Sequence, residues 1–258
     1  MSRTFSLLYG IACYALFLVT YLYFIGFVGN AIVPTTLDGT PRVPLAWALI
    51  NNVALIAVFG VQHSVMARPA FKRVWTTIVP QHLERSTYVL FSCIALFAMC
   101  WFWQPLGGTV WRVHNEIGRN VLYALFAMGW LMVPLASMLI NHFDLFGVRQ
   151  VWLHFQRKPY SPLAFRTPGP YKYLRHPLYV GWLLAFWATP DMTLAHLLMA
   201  TGLTAYILVA IPYEERDLEE FHGTPYTEYR KRTPMFVPRV MGGISRRPRV
   251  EAEETKSA

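Results

Sequence analysis

The stretch Gly169-Pro-Tyr-Lys-Tyr-Leu-Arg-His-Pro-Leu-Tyr-Val-Gly181 runs directly into Trp182-Leu-Leu-Ala-Phe-Trp187, and its reading decides the fold. Arginine, histidine and tyrosines crowd between two prolines, and an apolar run follows without a spacer. Proline lacks an N–H and has a fixed φ, so Pro177 suits the first turn of a helix. The apolar piece, 178–189, is helical in composition, but at ~1.5 Å per residue it makes only about 18 Å and cannot cross a membrane alone. It reads as one arm of a hairpin that turns at Pro190-Asp-Met192 and returns through 193–212.

Outward from this stretch, composition names the solvent. Of 258 residues, 55% are hydrophobic, 16% aromatic and only 14% charged, which excludes an ordinary soluble domain. Apolar runs at 5–29, 44–67, 86–104, 120–140 and 193–212 are nearly free of charge, and each is about long enough for a hydrocarbon core of ~30 Å. The expected fold is an all-α integral membrane protein. It has five transmembrane helices, a short half-helix in a hairpin with the last span, and a cytoplasmic C-terminal helical segment. The first run is too long for a signal-peptide h-region and lacks a cleavage site, so it reads as a retained helix. A single domain is expected over 1–241, with its catalytic region in 141–238, followed by a solvated tail over 242–258.

Charge orients the bundle, because lysine and arginine gather in short cytoplasmic loops. Arg68, Lys72, Arg73 and Arg85 follow the second run, a further basic group from Arg149 to Arg175 follows the fourth, and the chain after Tyr213 is basic as well. Both termini and the loop before Leu178 are therefore placed in the cytoplasm, with the hairpin entering and leaving on that face. Juxtamembrane basic residues against anionic lipid account for the net charge of +9, so membrane lipids are expected partners and nucleic acid is not. Cys13, Cys93 and Cys100 lie inside apolar runs with no CxxC pair and suggest neither disulfides nor zinc.

Four polar clusters could carry chemistry. Arg175, His176 and Tyr179 sit at the start of the half-helix, where free backbone N–H groups favour anions; an interfacial anchoring belt is the plainer reading. Glu214 and Glu215 follow the last run directly and cannot share one helix face, so they should have different partners, unless they belong to a solvated extension. Tyr226, Tyr229 and Arg230, at spacings of three and four, fall on one side of a helical turn. Asn51, Asn52, Gln62 and His63 interrupt the second run, and His142 and Asp144 follow the fourth. Such residues are site candidates or helix-to-helix hydrogen bonds. No compact ligand spacing is present and no metal is expected.

In order and spacing, Gly169-Pro-Tyr171, Arg175-His-Pro-x-Tyr-x-Gly181, Glu214-Glu215-x-x-Leu218-x-x-Phe221, Tyr226-x-x-Tyr229 and Arg232-x-Pro234 resemble the membrane methyltransferases of the isoprenylcysteine carboxyl methyltransferase and phospholipid methyltransferase type. Gln62-His-Ser-Val-Met-Ala-Arg-Pro-Ala-Phe-Lys72, Glu84-Arg-Ser-Thr-Tyr88 and Asn141-His-Phe-Asp-Leu-Phe-Gly-Val-Arg-Gln150 are similar to the bacterial methanethiol S-methyltransferases and their neighbours related to NnrU. The chain departs from the pattern at Phe221-His-Gly223, where one residue is inserted. The resemblance implies an S-adenosyl-L-methionine cofactor held by Tyr171, Arg175, His176, Tyr179, Gly181, Glu214 and Glu215. It also implies a small thiol as acceptor, methanethiol going to dimethyl sulfide, with hydrogen sulfide as a second thiol.

A thiol must lose its proton to become nucleophilic, so a base or a positive field is required. His63, His142 and His176 are the candidate bases, and Arg149, Tyr229 and Arg230 the candidates for stabilising a thiolate. A prenylated or phospholipid acceptor is the runner-up, and it calls for a wide lateral gap between helices. An NADPH-dependent sterol-type reductase and a non-enzymatic scaffold or transporter are the remaining rivals. The sequence leaves the oligomeric state open. The active site is expected at the cytoplasmic face of a bacterial inner membrane.

Overall fold

The computed structural model describes residues 2–238; the expected tail over 242–258 lies outside them. Five helices are long and apolar enough to cross a membrane: α1 (Arg3–Val28), α2 (Leu45–Ala67), α4 (Gln81–Phe102), α5 (Glu116–Ile140) and α9 (Leu194–His222). Shorter helices α3 (Pro69–Trp75), α6 (His142–Leu145), α7 (Val148–Phe155), α8 (Pro177–Trp187) and α10 (Thr224–Arg232) join or extend them. The protein is an all-α integral membrane protein, with leucine, isoleucine and valine side chains of the long helices facing outward, as lipid requires. Short polar caps start three spans: Ser2 accepts from the Phe5 N–H at 3.2 Å, Asn115 from the Gly118 N–H at 2.9 Å and Thr193 from the His196 N–H at 3.0 Å.

Helix ends sort into two groups. At one end, His82 of α4 meets Ser6 of α1 at 3.1 Å, and Arg68 after α2 pairs with Asp217 of α9 at 2.8 Å. At the other, the fully buried Asn52 of α2 donates to the Gln104 carbonyl at 2.7 Å and accepts from its N–H at 2.9 Å, while Asn51 reaches the Phe102 carbonyl at 2.9 Å. The two asparagines thus close the C-terminal end of α4 and lie far from the polar clusters, which settles them as helix-to-helix hydrogen bonds.

α8 begins at Pro177 and turns back into α9, the hairpin expected from the sequence. Its tip differs in one respect. Residues Asp191–Thr193 form a strand, β2, that pairs antiparallel with β1 (Thr109–Arg112) from the loop before α5, a ribbon the sequence did not suggest. Asp191 is further held by Arg112 and Arg119, both at 3.0 Å, so the tip reaches the far end of the bundle. An 11-residue helix is too short for that alone. The missing length comes from the irregular segment 169–176, which runs inward beside the last turns of α5. Backbone polar groups inside such a bundle need partners. The Arg175 N–H donates to the Pro234 carbonyl at 2.9 Å and the His176 N–H to the Met235 carbonyl at 3.2 Å, so the irregular segment after α10 supplies the partners.

α9 also runs on past Pro212 to His222. One proline removes one hydrogen bond, and the Glu-Glu-Arg-Asp-Leu-Glu-Glu run beyond it is made mostly of good helix formers. The helix stops at Gly223, whose φ of 63° is cheap for glycine.

The core is aromatic. Trp130 of α5 packs edge-on against Phe24 of α1 and Trp182 of α8, both at 5.4 Å between centroids, and Met199, Leu203 and Ile207 of α9 close the cluster. α8 fits against α5 because Gly129 and Gly181 face each other; a Cβ at 129 would lie 2.5 Å from the Ala185 nitrogen and 2.8 Å from the Gly181 oxygen. Replacing Gly129 by valine should therefore cost roughly 1–3 kcal/mol through overpacking and lower the unfolding midpoint of the detergent-solubilised protein by several degrees, measured by thermal scanning.

Candidate active site

Glu215 is the centre of the polar end. It is buried, at 2% exposure, and receives three cationic or ring donors: Arg175 Nε at 2.7 Å and His176 Nε2 at 2.9 Å on Oε1, and Arg230 Nε at 3.0 Å on Oε2. Arg175 also donates through Nη1 to the carbonyls of Arg230 at 2.8 Å and Thr233 at 2.9 Å, and Arg230 reaches Glu219 at 2.9 Å. Tyr229 Oη lies 2.6 Å from the Tyr171 carbonyl and 3.0 Å from that of Leu174. One buried carboxylate thus joins the start of α8, the last turns of α9 and the whole of α10.

Glu214, one residue earlier, points elsewhere, as adjacent helical positions must. Tyr179 donates to its Oε2 at 2.7 Å, and Tyr88, Tyr171, Tyr206 and Tyr226 also lie within its electrostatic range. His63 borders the same group of tyrosines. Its Nε2 is 2.8 Å from Tyr88 Oη, its Nδ1 is 3.0 Å from Ser92 Oγ, and its ring stacks on Phe59 and meets Tyr206 edge-on. α2, α4, α8 and α9 therefore contribute His63, Tyr88, Tyr179, Tyr206 and Glu214 to one polar, tyrosine-rich cluster. Beyond Tyr229 and Thr233 a cleft of about 340 Å³, also lined by Phe165, Thr167, Glu228 and Arg232, opens toward the outside of the bundle.

Two expected residues lie away from this cluster. His142 is buried among Tyr14, Ser137 and Phe146, with Tyr14 Oη 2.8 Å from Nε2 and Ser137 Oγ 2.8 Å from Nδ1. The cause is Asn141, whose left-handed φ of 102° ends α5 and folds α6 under α1. Arg149 is spent on Asp144 at 2.8 Å. His63, His142 and Asp144 do not come together, and among the described residues no three potential metal ligands do. Ser92 and Tyr206 join the cluster without having been picked out from the sequence. The signal was available for Ser92, a hydroxyl four residues after Tyr88 in an apolar run, hence on the same face.

Burial tunes the aqueous-side groups. It pushes the Tyr229 hydroxyl up to about 12, and raises Tyr171 and Tyr226, with the Glu214 carboxylate adding to both. These phenols stay neutral donors. Lys72 is drawn down to about 8 by desolvation, helped by the nearby Arg85.

The donor set fits S-adenosyl-L-methionine. Glu215 is saturated by its three donors and is unsuited to a ligand ammonium, whereas Glu214 Oε1 has no protein partner among the described residues and lies near Tyr171, Tyr179 and Tyr206. Among the described residues Arg175 Nη2 has no protein acceptor, an edge that suits a carboxylate.

Known proteins resemble the chain along nearly its whole length. It is 53% identical over 238 residues to the methanethiol S-methyltransferase of Crocosphaera subtropica, covering 92% of this chain and 93% of that one. It is 47% identical over 238 residues to the methanethiol S-methyltransferase of Mycobacterium tuberculosis, covering 92% and 98%. The chain belongs to the methanethiol S-methyltransferase family. Human nurim is more distant, 30% identical over 190 residues and covering 70% of each chain. No family model matches the sequence, and no solved structure does. As a member of this family the chain is a methyltransferase enzyme.

Two outcomes follow for this family member. Glu215→Ala leaves Arg175 and Arg230 without their buried partner and should destabilise by about 3–5 kcal/mol, enough to lower the yield of folded protein and its thermal midpoint; Arg175→Lys should do part of the same damage, because lysine cannot reach three acceptors at once. Burial holds His142 below the usual imidazole range, so the folded protein refuses a proton that the unfolded chain accepts below ~6.5. Stability should therefore fall as pH drops through ~6.5, and His142→Gln should flatten part of that decline in thermal midpoints taken across the range.

Proposed function

We propose that this chain transfers a methyl group from S-adenosyl-L-methionine to methanethiol, releasing dimethyl sulfide, with hydrogen sulfide as a second small acceptor. The observation that carries the reading is the cluster that joins His63 to Glu214: a histidine hydrogen-bonded to Tyr88 and Ser92, and a carboxylate whose Oε1 has no partner among the described residues, with tyrosines near both. The relatives' names supply the acceptor.

S-adenosyl-L-methionine, when bound, supplies an electrophilic methyl carbon on a positively charged sulfur. Glu214 and the faces of Tyr171 and Tyr179 would hold its cationic and adenine parts, and the free Nη2 edge of Arg175 its carboxylate. Glu215 fixes Arg175 and His176, so Gly181, Tyr179 and the start of α8 keep their position whether or not a ligand is present. Tyr229 performs the same service for the 171–174 backbone. Displacement at carbon needs alignment above all, and rigid positioning can supply ~7–11 kcal/mol. His63 takes the thiol proton, and Phe59 and Tyr206 limit access of water to it.

The end that carries the site also carries Arg68, Lys72, Arg73, Arg85, Arg149, Arg157 and Lys158, against Arg42, Arg112 and Arg119 at the other, an asymmetry that supports a cytoplasm-facing site in a bacterial inner membrane. His63→Gln should lower kcat/KM for methanethiol by roughly 10²–10⁴-fold while S-adenosylhomocysteine still binds. Glu214→Gln should instead weaken that binding by roughly 10–100-fold in calorimetry. The deciding assay gives the purified protein labelled S-adenosyl-L-methionine with methanethiol, prenylcysteine and phosphatidylethanolamine. Label in dimethyl sulfide supports the reading; label only in a lipidic acceptor, or no binding of the nucleoside at all, sinks it.

A further inference from the structure

Beside His63 the charges do not balance. Among the described residues, the partly buried basic side chains have carboxylates within 4.0 Å: Arg68 has Asp217, Lys72 has Glu84, Arg119 has Asp191, Arg149 has Asp144 and Arg175 has Glu215. Arg85 is the exception. It is partly buried on α4, no acid or hydrogen-bond acceptor among the described residues engages its guanidinium, and its neighbour is the Tyr88 ring, with Cζ 5.9 Å from the centroid.

Helical geometry explains why it is left so. Positions 85, 88 and 92 follow the three-and-four spacing of one helix face. Tyr88 and Ser92 are the hydrogen-bond partners of His63, so Arg85 belongs to the same wall. Its sequence neighbours point away: Glu84 toward Lys72 at 4.0 Å, and Ser86 toward the Gly147 carbonyl at 3.5 Å. The Arg85 charge acts on His63, Lys72 and Tyr88. Holding a partly desolvated cation without a counter-ion is costly, and an anionic ligand relieves that cost.

We propose that Arg85 holds the sulfur of the acceptor as a thiolate beside His63. This rests on the reading of the chain as a thiol methyltransferase and names the residue that stabilises the nucleophile, in place of Arg149 and Arg230, whose charges are spent on Asp144, Glu215 and Glu219. The S–H proton passes to a ring nitrogen of His63 as the thiolate forms. The thiolate electron pair makes the new carbon–sulfur bond, and the electrons of the broken bond return to the donor sulfur, leaving two neutral thioethers. His63 then releases the proton to water. Other charged or titratable groups around this wall are Tyr88 on α4, Arg68 with Asp217, Lys72 with Glu84, and Tyr206 with Glu214 on α9.

The donor's own carboxylate is also an anion, and the test separates the two. Arg85→Gln and Arg85→Lys are made in the full chain, S-adenosylhomocysteine binding is measured by calorimetry, and kcat/KM for methanethiol is followed from about pH 6 to about pH 10. Removal of an opposite charge at this range should move the acid limb up by about one pH unit and lower kcat/KM at neutral pH roughly tenfold in the glutamine variant, with lysine restoring most of it and nucleoside binding unchanged in both. An unmoved limb overturns the proposal. So does loss of nucleoside binding, which assigns the guanidinium to the donor carboxylate, and so does an equal fall at every pH in both variants, which assigns it to packing. If the unmodified protein binds S-adenosylhomocysteine yet leaves methanethiol untouched, the thiol reading itself fails, a result distinct from a silent Arg85→Gln variant.

Discussion

Everything at the polar end depends on the carboxylate of Glu215. A charge buried to 2% exposure survives only if it is paired, and here Arg175 and His176 pair it from the run before α8 and Arg230 from α10, while Arg175 also ties in the Thr233 carbonyl just beyond. Those segments are the ones that have no regular way to be held: the irregular run before α8, the helix α10 beyond the last span, and the extended residues after it. The segment at Pro234 and Met235 then satisfies the backbone of Arg175 and His176, and Phe236 packs toward the His176 ring. Ion pair and backbone pairing support each other, because either would be weak without the other to fix its geometry.

With Glu215 committed to structure, the adjacent Glu214 keeps Oε1 without a partner among the described residues, as the proposed ligand role needs. Two neighbouring acids on one helix face different ways, so one can be saturated while the other keeps an open oxygen among tyrosines. The same division of labour recurs among the arginines. Arg149, Arg175 and Arg230 are neutralised by acids, and Arg85 alone of the partly buried ones among the described residues stands without a partner, on the wall that carries His63. Arg85 and Glu214 are thus an unpaired cation and a carboxylate with an open oxygen in elements that both border the His63 cluster. That polarity suits a reaction in which a thiolate and a sulfonium combine into two neutral sulfides, and the neutral product can leave into lipid.

Much of this was legible from residue types alone. Five apolar runs of spanning length became five helices, and the shortness of 178–189 with Pro177 before it foretold a helix that turns back. The motifs at Arg175, Glu214, Tyr226 and Tyr229 stood at one end as their spacing suggested. The sequence was silent where contacts join distant segments. It placed His142 with His63 because both flank spans at the same face, yet a single left-handed residue at Asn141 turns His142 into a separate corner with Tyr14 and Ser137. It ended the last span at Pro212, and the helix formers that follow carried it to His222.

The sequence by itself determined the solvent, the number of spans, the return of the hairpin and which polar residues crowd one face, because each of these follows from local hydrophobicity, proline chemistry and charge counted along the chain. Only the tertiary structure decided which acid is an anchor and which keeps an open oxygen, which histidine joins the tyrosine cluster, and which partly buried arginine is unpaired among the described residues. Those are questions of pairing between α2, α4, α8, α9 and α10, segments up to 170 positions apart in numbering, as between His63 and Thr233 at the two ends of the site. Pairing energy depends on a few ångströms and on which direction each helix turns its face, and neither is written in the order of residues along one strand of chain.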